Sequence, residues 1–344
     1  MKKLIFNIIK YTLFFAIGVF IFWTIYRKIP MNDLVTALKG INYFWIVVSI
    51  LFGVLSNISR AIRWKMLIKP LGYNPKLSDT FLSVLVMYFI NLVIPRAGEV
   101  ARCTVLSRTD KIPFTKLVGT VFVERMADFI MLVILVIGIF AMNYSIILKF
   151  FTDNPDVTAN AKALISLRNL IILIVIIALG IALLIYIRGR LKKSSRKRRL
   201  VELRNHLVEG IRSIAHMENK WYFIGHTAFI FLMWLFMLYV VFLAYQPTEH
   251  LSIRVGMVTF LMGGLAMLAP IQAGFGAWHF MVFETLFLYG IPKDQGKIFA
   301  LIAHTSTNLI YLVLGGAAIL ILLFFNEGFK KIDLKSIKED QKKV

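Results

Sequence analysis

The run Asn91-Leu-Val-Ile-Pro95-Arg96-Ala-Gly98-Glu99-Val-Ala-Arg102 places a proline, a glycine and three charges directly behind a strongly apolar stretch. Pro95 suits the first turn of a helix, where its missing N–H costs nothing. A helix starting there carries Arg96, Glu99 and Arg102 at intervals of three on roughly one face, with Glu99 favoured near the positive helix end. Gly98 permits close backbone approach. Free backbone N–H groups beside two guanidinium forks suit a phosphate or a carboxylate better than a neutral ligand.

A second group, Glu124-Arg125-Met-Ala-Asp128, lies inside the next apolar segment, where an isolated charge costs roughly 2.5–3.5 kcal/mol on insertion scales. Glu124 and Asp128 are four apart and share a helix face. If that helix enters the membrane near Lys116, Glu124 stands about 10 Å inside. Two carboxylates at such depth must be paired, protonated or watered. The expected cations are Arg96 and Arg102, with Arg60 and Arg63 behind them. The resulting network either holds an anionic head group or acts as a structural clamp.

A third group is poorer in charge. Pro270-Ile-Gln272-Ala-Gly274-Phe-Gly276 breaks an apolar run, His279 follows it, and His304 and Asn308 lie four apart on the last apolar segment. The histidines are either hydrogen-bonded packing residues or titrating groups, since imidazole changes charge near neutral pH.

The elements that position these residues are membrane helices. Of 344 residues, 59% are hydrophobic and 17% charged, and mean hydropathy is +0.76, far from the balance of a soluble domain. The net charge of +22 sits in short loops between apolar runs, which is the positive-inside pattern and not a nucleic-acid surface. Cys103 is alone, so neither a disulfide nor a zinc site is encoded. No phosphate loop, zinc helix or nucleophile elbow is present, and neither a metal nor a cofactor is expected.

Apolar segments run over 4–26, 43–59, 77–94, 116–142, 167–187, 221–245, 253–289 and 298–325. The first is too long for a signal peptide and lacks a cleavage site. Arg60, Arg63, Trp64 and Lys65 read as an interfacial anchor closing the second. Thirty of the forty Lys and Arg residues fall in five places: the N-terminus, 60–76, 96–116, 188–220 and the tail. All five lie in the cytoplasm only if 77–94 dips into the bilayer and returns. Segment 253–289 is about twice the length of one span and is broken at its centre.

The expected fold is therefore all-α and polytopic: about six full spans plus two re-entrant hairpins, broken at Pro95 and Pro270, in an inverted repeat. Paired Gly/Pro breaks in two halves of opposite orientation point to a transporter with its site near the midplane. The first half covers 1–187 with a hairpin at about 77–110, a basic cytoplasmic linker covers 188–220, the second half covers 221–325 with an outer-face hairpin at about 253–289, and a charged tail covers 326–344. The linker reads as a topology determinant lying on anionic lipid.

Taken in order, Asn91…Pro95-Arg96-x-Gly98-Glu99-x-x-Arg102, Glu124-Arg125-x-x-Asp128 and Pro270-x-Gln272-x-Gly274-x-Gly276 resemble the flippase-like membrane family related to the transmembrane region of lysylphosphatidylglycerol synthase, the multiple peptide resistance factor of bacteria. The resemblance covers nearly the whole chain. It implies an inverted-repeat domain with re-entrant helices and translocation of lipids between leaflets; the expected location is the bacterial inner (plasma) membrane, and the loop charge puts both termini in the cytoplasm. The soluble synthase domain has no counterpart here, so lysylphosphatidylglycerol synthesis is not expected. The family's second break continues into a glutamate, where this chain has His279.

The expected substrate or coupling residues are Asn91, Arg96, Gly98, Glu99, Arg102, Glu124, Arg125, Asp128, Gln272, Gly274, Gly276, His279, His304 and Asn308. The expected partner is a membrane lipid, anionic or lipid-linked, with oligomeric state, including a homodimer, left open. A transferase acting on a polyprenyl-phosphate or phospholipid and a non-transporting envelope scaffold are the alternatives.

Overall fold

A computed structural model describes residues 19–27, 29–94, 96–142, 219–267 and 274–325. Pro95, Pro270, Gln272, the run 4–18, the segment 167–187, the linker up to 218 and the tail lie outside them. The chain divides into two compact units, one of Met1–Met131 with Glu209–Val344 and one of Leu132–Val208. Of the latter, residues 132–142 are described and are helical. All that follows concerns the former.

Every regular element among the described residues is helical: α1 over 19–26, α2 (Met31–Lys39), α3 (Tyr43–Ile68), α4 (Leu77–Val93), α5 (Gly98–Thr109), α6 (Phe114–Met142), α7 (Lys220–Ala244), α8 (Ile253–Ala266), α9 (Ala277–Leu288) and α10 (Lys293–Phe325). Three stretches among them, Tyr43–Leu71, Lys220–Ala244 and Lys293–Phe325, are long and apolar enough to cross a membrane. At 1.5 Å per residue, α8 and α9 rise only about 18–21 Å, well short of a hydrocarbon core of about 30 Å.

The Asn42 side chain caps α3 by accepting from the Phe44 N–H, filling one of the donors a helix start leaves open. α3 continues to Ile68, past the expected end at Ser59, and the anchor reading fails for three of its four residues. Arg60, Arg63 and Trp64 are at most 1% exposed. The helix turns this face into the bundle because carboxylates wait there. α3 and α7 pack antiparallel: Ser49 Oγ donates to the Met237 carbonyl at 2.7 Å near one end, and Arg63 Nη1 donates to Thr227 Oγ1 at 3.0 Å near the other.

α4 and α5 form the first hairpin. The second arm begins at Gly98, not at Pro95, so Arg96 is not on one helix face with Glu99 and Arg102. Arg96 occupies the break in a left-handed conformation, φ 63°. The Gly98 N–H donates to Asn91 Oδ1 at 2.8 Å, tying the second arm to the end of the first. A Cβ on Gly98 would collide with the Met87 carbonyl oxygen. α8 and α9 form the second hairpin, its turn holding Gly274 and Gly276 at φ 69° and 83°. α10 packs on both: its Gly315 admits the Phe89 ring of the first hairpin, and its Gly296 lies against Phe283 of the second.

Candidate functional site

Glu124 on α6 is fully buried and accepts hydrogen bonds from three helices. Oε1 takes Arg60 Nη1 of α3 at 2.8 Å and its neighbour Arg125 Nη2 at 2.7 Å, and Oε2 takes Arg102 Nη1 of α5 at 3.0 Å. Arg63 Nη2 approaches at 3.3 Å. Asp128, one turn on, lies 2.7 Å from Arg63 Nη1 and 3.2 Å from Arg125 Nη2. Those approaches are close but off the hydrogen-bond line, and neither Asp128 oxygen accepts a hydrogen bond there.

In this group four guanidiniums face two carboxylates. Counting Glu99, one turn before Arg102, the remaining positive charge is that of Arg125, whose side chain is 40% exposed. Nε and Nη2 of Arg60, Arg63 and Arg102, Nε of Arg125 and Oε2 of Glu99 are buried without a hydrogen-bond partner. Aromatic faces stand against the cations. Arg60 lies 5.0 Å from the Trp234 ring and 5.9 Å from Tyr88, and Arg102 lies 4.7 Å from Trp64. Trp64 is itself held by its Nε1–H bond to Thr120 at 2.9 Å. Desolvated cation–π contacts of this kind contribute about 2 kcal/mol each.

The second-half residues gather elsewhere. His279 is fully buried, its ring centroid 4.4 Å from that of His304. Phe22, Tyr26, Phe275 and Trp278 surround the pair at ring distances between 5.2 and 5.8 Å. The Gly276 N–H donates to His279 Nδ1 at 3.3 Å, which leaves the proton of a neutral ring on Nε2, a buried atom without a partner. Asn308 Nδ2 lies 2.9 Å from His304 Nδ1. Gly274 and Gly276 shape the turn before this pair, while Gln272 lies outside the described residues.

The two groups are joined along α10. Tyr311 lies one turn beyond Asn308 and stacks on Tyr88 at 4.2 Å, with planes 7° apart, and Tyr88 in turn faces Arg60. The expected site residues thus fall into two groups, linked by the Tyr88–Tyr311 stack. Sequence reasoning places Arg60 and Arg63 behind Arg96 and Arg102, but both contact Glu124 directly. It omits Tyr88, Tyr311, Trp234 and Asn57, and reads Trp64 as an anchor. The Asn57 amide, fully buried with neither its oxygen nor its nitrogen bonded, lies one turn before Arg60. An asparagine at the centre of an apolar span is a signal that finds it. Cys103 is buried and free, packed as a small apolar residue beside Trp64 and Leu106. No group of three or more metal-ligating side chains occurs among the described residues.

A family model described as the lysylphosphatidylglycerol synthase TM region matches residues 8–315. A UPF0104 membrane protein of Methanocaldococcus jannaschii is 30% identical over 142 residues, 40% of this chain and 42% of that relative. The match therefore spans less than half of either protein.

Proposed function

The chain belongs to the family of the lysylphosphatidylglycerol synthase TM region, and on that premise we propose that it moves a lipid bearing an anionic phosphate head between the leaflets of a membrane. The observation that carries the reading is the convergence of three buried arginines, Arg60, Arg63 and Arg102, with the part-exposed Arg125 on the shared carboxylates of Glu124 and Asp128, with several arginine N–H groups lacking a hydrogen-bond partner. Guanidinium N–H groups without a partner inside a membrane protein need an acceptor. A phosphodiester supplies one charge and the acceptor oxygens that guanidinium forks recognise. A neutral head supplies neither.

In this reading the two hairpins are re-entrant and enter from opposite faces. The membrane is the bacterial plasma membrane, both termini are cytoplasmic, and six further segments cross fully. The phosphate rests against Arg60, Arg63 and Arg102 and passes along the Tyr311–Asn308–His304 face of α10 while its acyl chains stay in lipid. Asn308 and the His279–His304 pair then offer hydrogen-bond partners on the far side.

The test is reconstitution of the full chain in vesicles containing a fluorescent phosphatidylglycerol, with an impermeant quencher reporting leaflet distribution. Transfer that accelerates with the protein and slows with Arg60→Gln or Arg102→Gln supports the reading. A lipid that stays in place, or whose mass changes, overturns it; a mass change would make the protein a transferase.

A further inference from the structure

Between α3 and α7 a groove of about 490 Å³ opens on the outer surface of the bundle, within the range of about 300–1,000 Å³ usual for ligand sites. Leu55, Ile58 and Ile62 of α3 and Phe229 of α7 form its walls. Gly225 makes the notch: a Cβ there would meet nothing within 4 Å. The floor is polar. Ser59 Oγ lies 2.8 Å from His226 Nδ1.

Directly behind that floor stands the arginine cluster. Arg63 follows Ser59 by one helical turn, and Thr227, the residue after His226, accepts from Arg63 at 3.0 Å. One layer of side chains separates the groove from the guanidiniums around Glu124. At the rim, Trp221 and Tyr222 are 83% and 69% exposed beside Lys220, at the end of a spanning helix, where aromatic and basic side chains favour the head-group level.

Hydrocarbon alone accounts for the walls but gives no reason for a Ser–His pair, hydrogen-bonded at 2.8 Å with Ser59 only 3% exposed, at the floor of the groove. A tight helix–helix seam accounts for neither the pair nor the open space at Gly225. An amphiphile accounts for all of it: a chain along the apolar walls, and an anionic phosphate at the basic, aromatic rim with cations one layer further in. We propose that this groove is the lateral seat of a phosphate-headed glycerolipid and that the Ser59–His226 pair is the gate through which its head reaches Arg63. The inference rests on the transport reading for the destination of the head, but the seat itself is testable separately.

The full chain in phosphatidylcholine vesicles is given phosphatidylglycerol carrying a photoreactive diazirine on one acyl chain, and the labelled peptides are mapped. Labelling is expected at 55–62 and 221–229, and Gly225→Phe, whose ring projects into open space, should cut it about tenfold, a change equivalent to about 1.4 kcal/mol of binding, without loss of thermal stability. A diazirine phosphatidylcholine should label this site less. Labelling spread evenly over exposed faces, including Leu312 and Leu320 of α10, and unchanged in Gly225→Phe overturns the seat. If leaflet transfer persists in Gly225→Phe and is lost in Arg60→Gln, the seat falls and transport stands. If labelling follows the groove while the wild type transfers nothing, the seat stands and the transport reading falls.

Discussion

Removing the Glu124 side chain takes from Arg60, Arg63, Arg102 and Arg125 the carboxylate they share. Breaking a buried pair costs about 3–5 kcal/mol because the remaining charge is stranded. Glu124→Ala is therefore expected to lower the thermal unfolding midpoint sharply in detergent, and added phosphate-headed lipid should recover part of the loss by supplying an anion. Arg96 makes a second, cleaner comparison. At φ 63° an alanine keeps the backbone strain that a glycine relieves, so Arg96→Gly should be about 1–2 kcal/mol more stable than Arg96→Ala, with both losing the guanidinium. Glu124 and Asp128 are legible from spacing alone, because carboxylates at depth demand partners. Arg60 and Arg63 are misread as an anchor because they close an apolar run in the manner of a span end. Tyr88, Tyr311 and Trp234 are silent in sequence, since an aromatic in an apolar helix has no mark that separates core from site.

Adjacent glycines test the packing of elements. A Cβ at Gly263 would stand 2.6 Å from Trp278 Nε1, whereas Gly264 has nothing within 4 Å. Gly264→Ala should stabilise α8 by about 0.5–1 kcal/mol through helix propensity. Gly263→Ala should destabilise by about 1–3 kcal/mol through overpacking, and differential scanning of the two variants reads the opposite signs. The second hairpin is visible in sequence because Pro and Gly interrupt a run about twice the length of one span, and the first because loop charge is consistent only if 77–94 returns to the face it entered from. Their internal boundaries are not, since the true start of α5 depends on the side chain of Asn91 capturing the Gly98 N–H across seven residues. That contact exists only once both arms have folded.

The ends of the molecule sort the loops. The Tyr26 hydroxyl donates to the Lys297 carbonyl at 2.9 Å, and the Asn42 N–H donates to the Ala244 carbonyl at 2.9 Å, gathering 26–42, 244 and 297 at one end. At the other, Lys116 sits over the Tyr73 ring at 5.2 Å, and Arg63 meets Thr227 near the start of α7. In the proposed topology, which follows the positive-inside bias, the second end is cytoplasmic. Because Cys103 is the sole cysteine and buried, a Cys103→Ser background allows single-cysteine labelling. Glu249→Cys and Asp294→Cys should react with an impermeant maleimide from outside intact cells, and Lys111→Cys and Lys220→Cys only after permeabilisation. The reverse pattern would invert the topology and, with it, the direction in which the arginine seat opens.

Trp64 and Trp234 account for two of the six tryptophans, and each carries a guanidinium on its face, Arg102 at 4.7 Å and Arg60 at 5.0 Å. A cation so placed perturbs the excited indole, so their emission depends on where those two arginines rest. An anion that draws Arg60 and Arg102 away should change the intensity and wavelength of this pair. With Trp23, Trp45, Trp221 and Trp278 replaced by phenylalanine, the protein would report occupancy of its own buried seat by intrinsic fluorescence, without any label on the lipid.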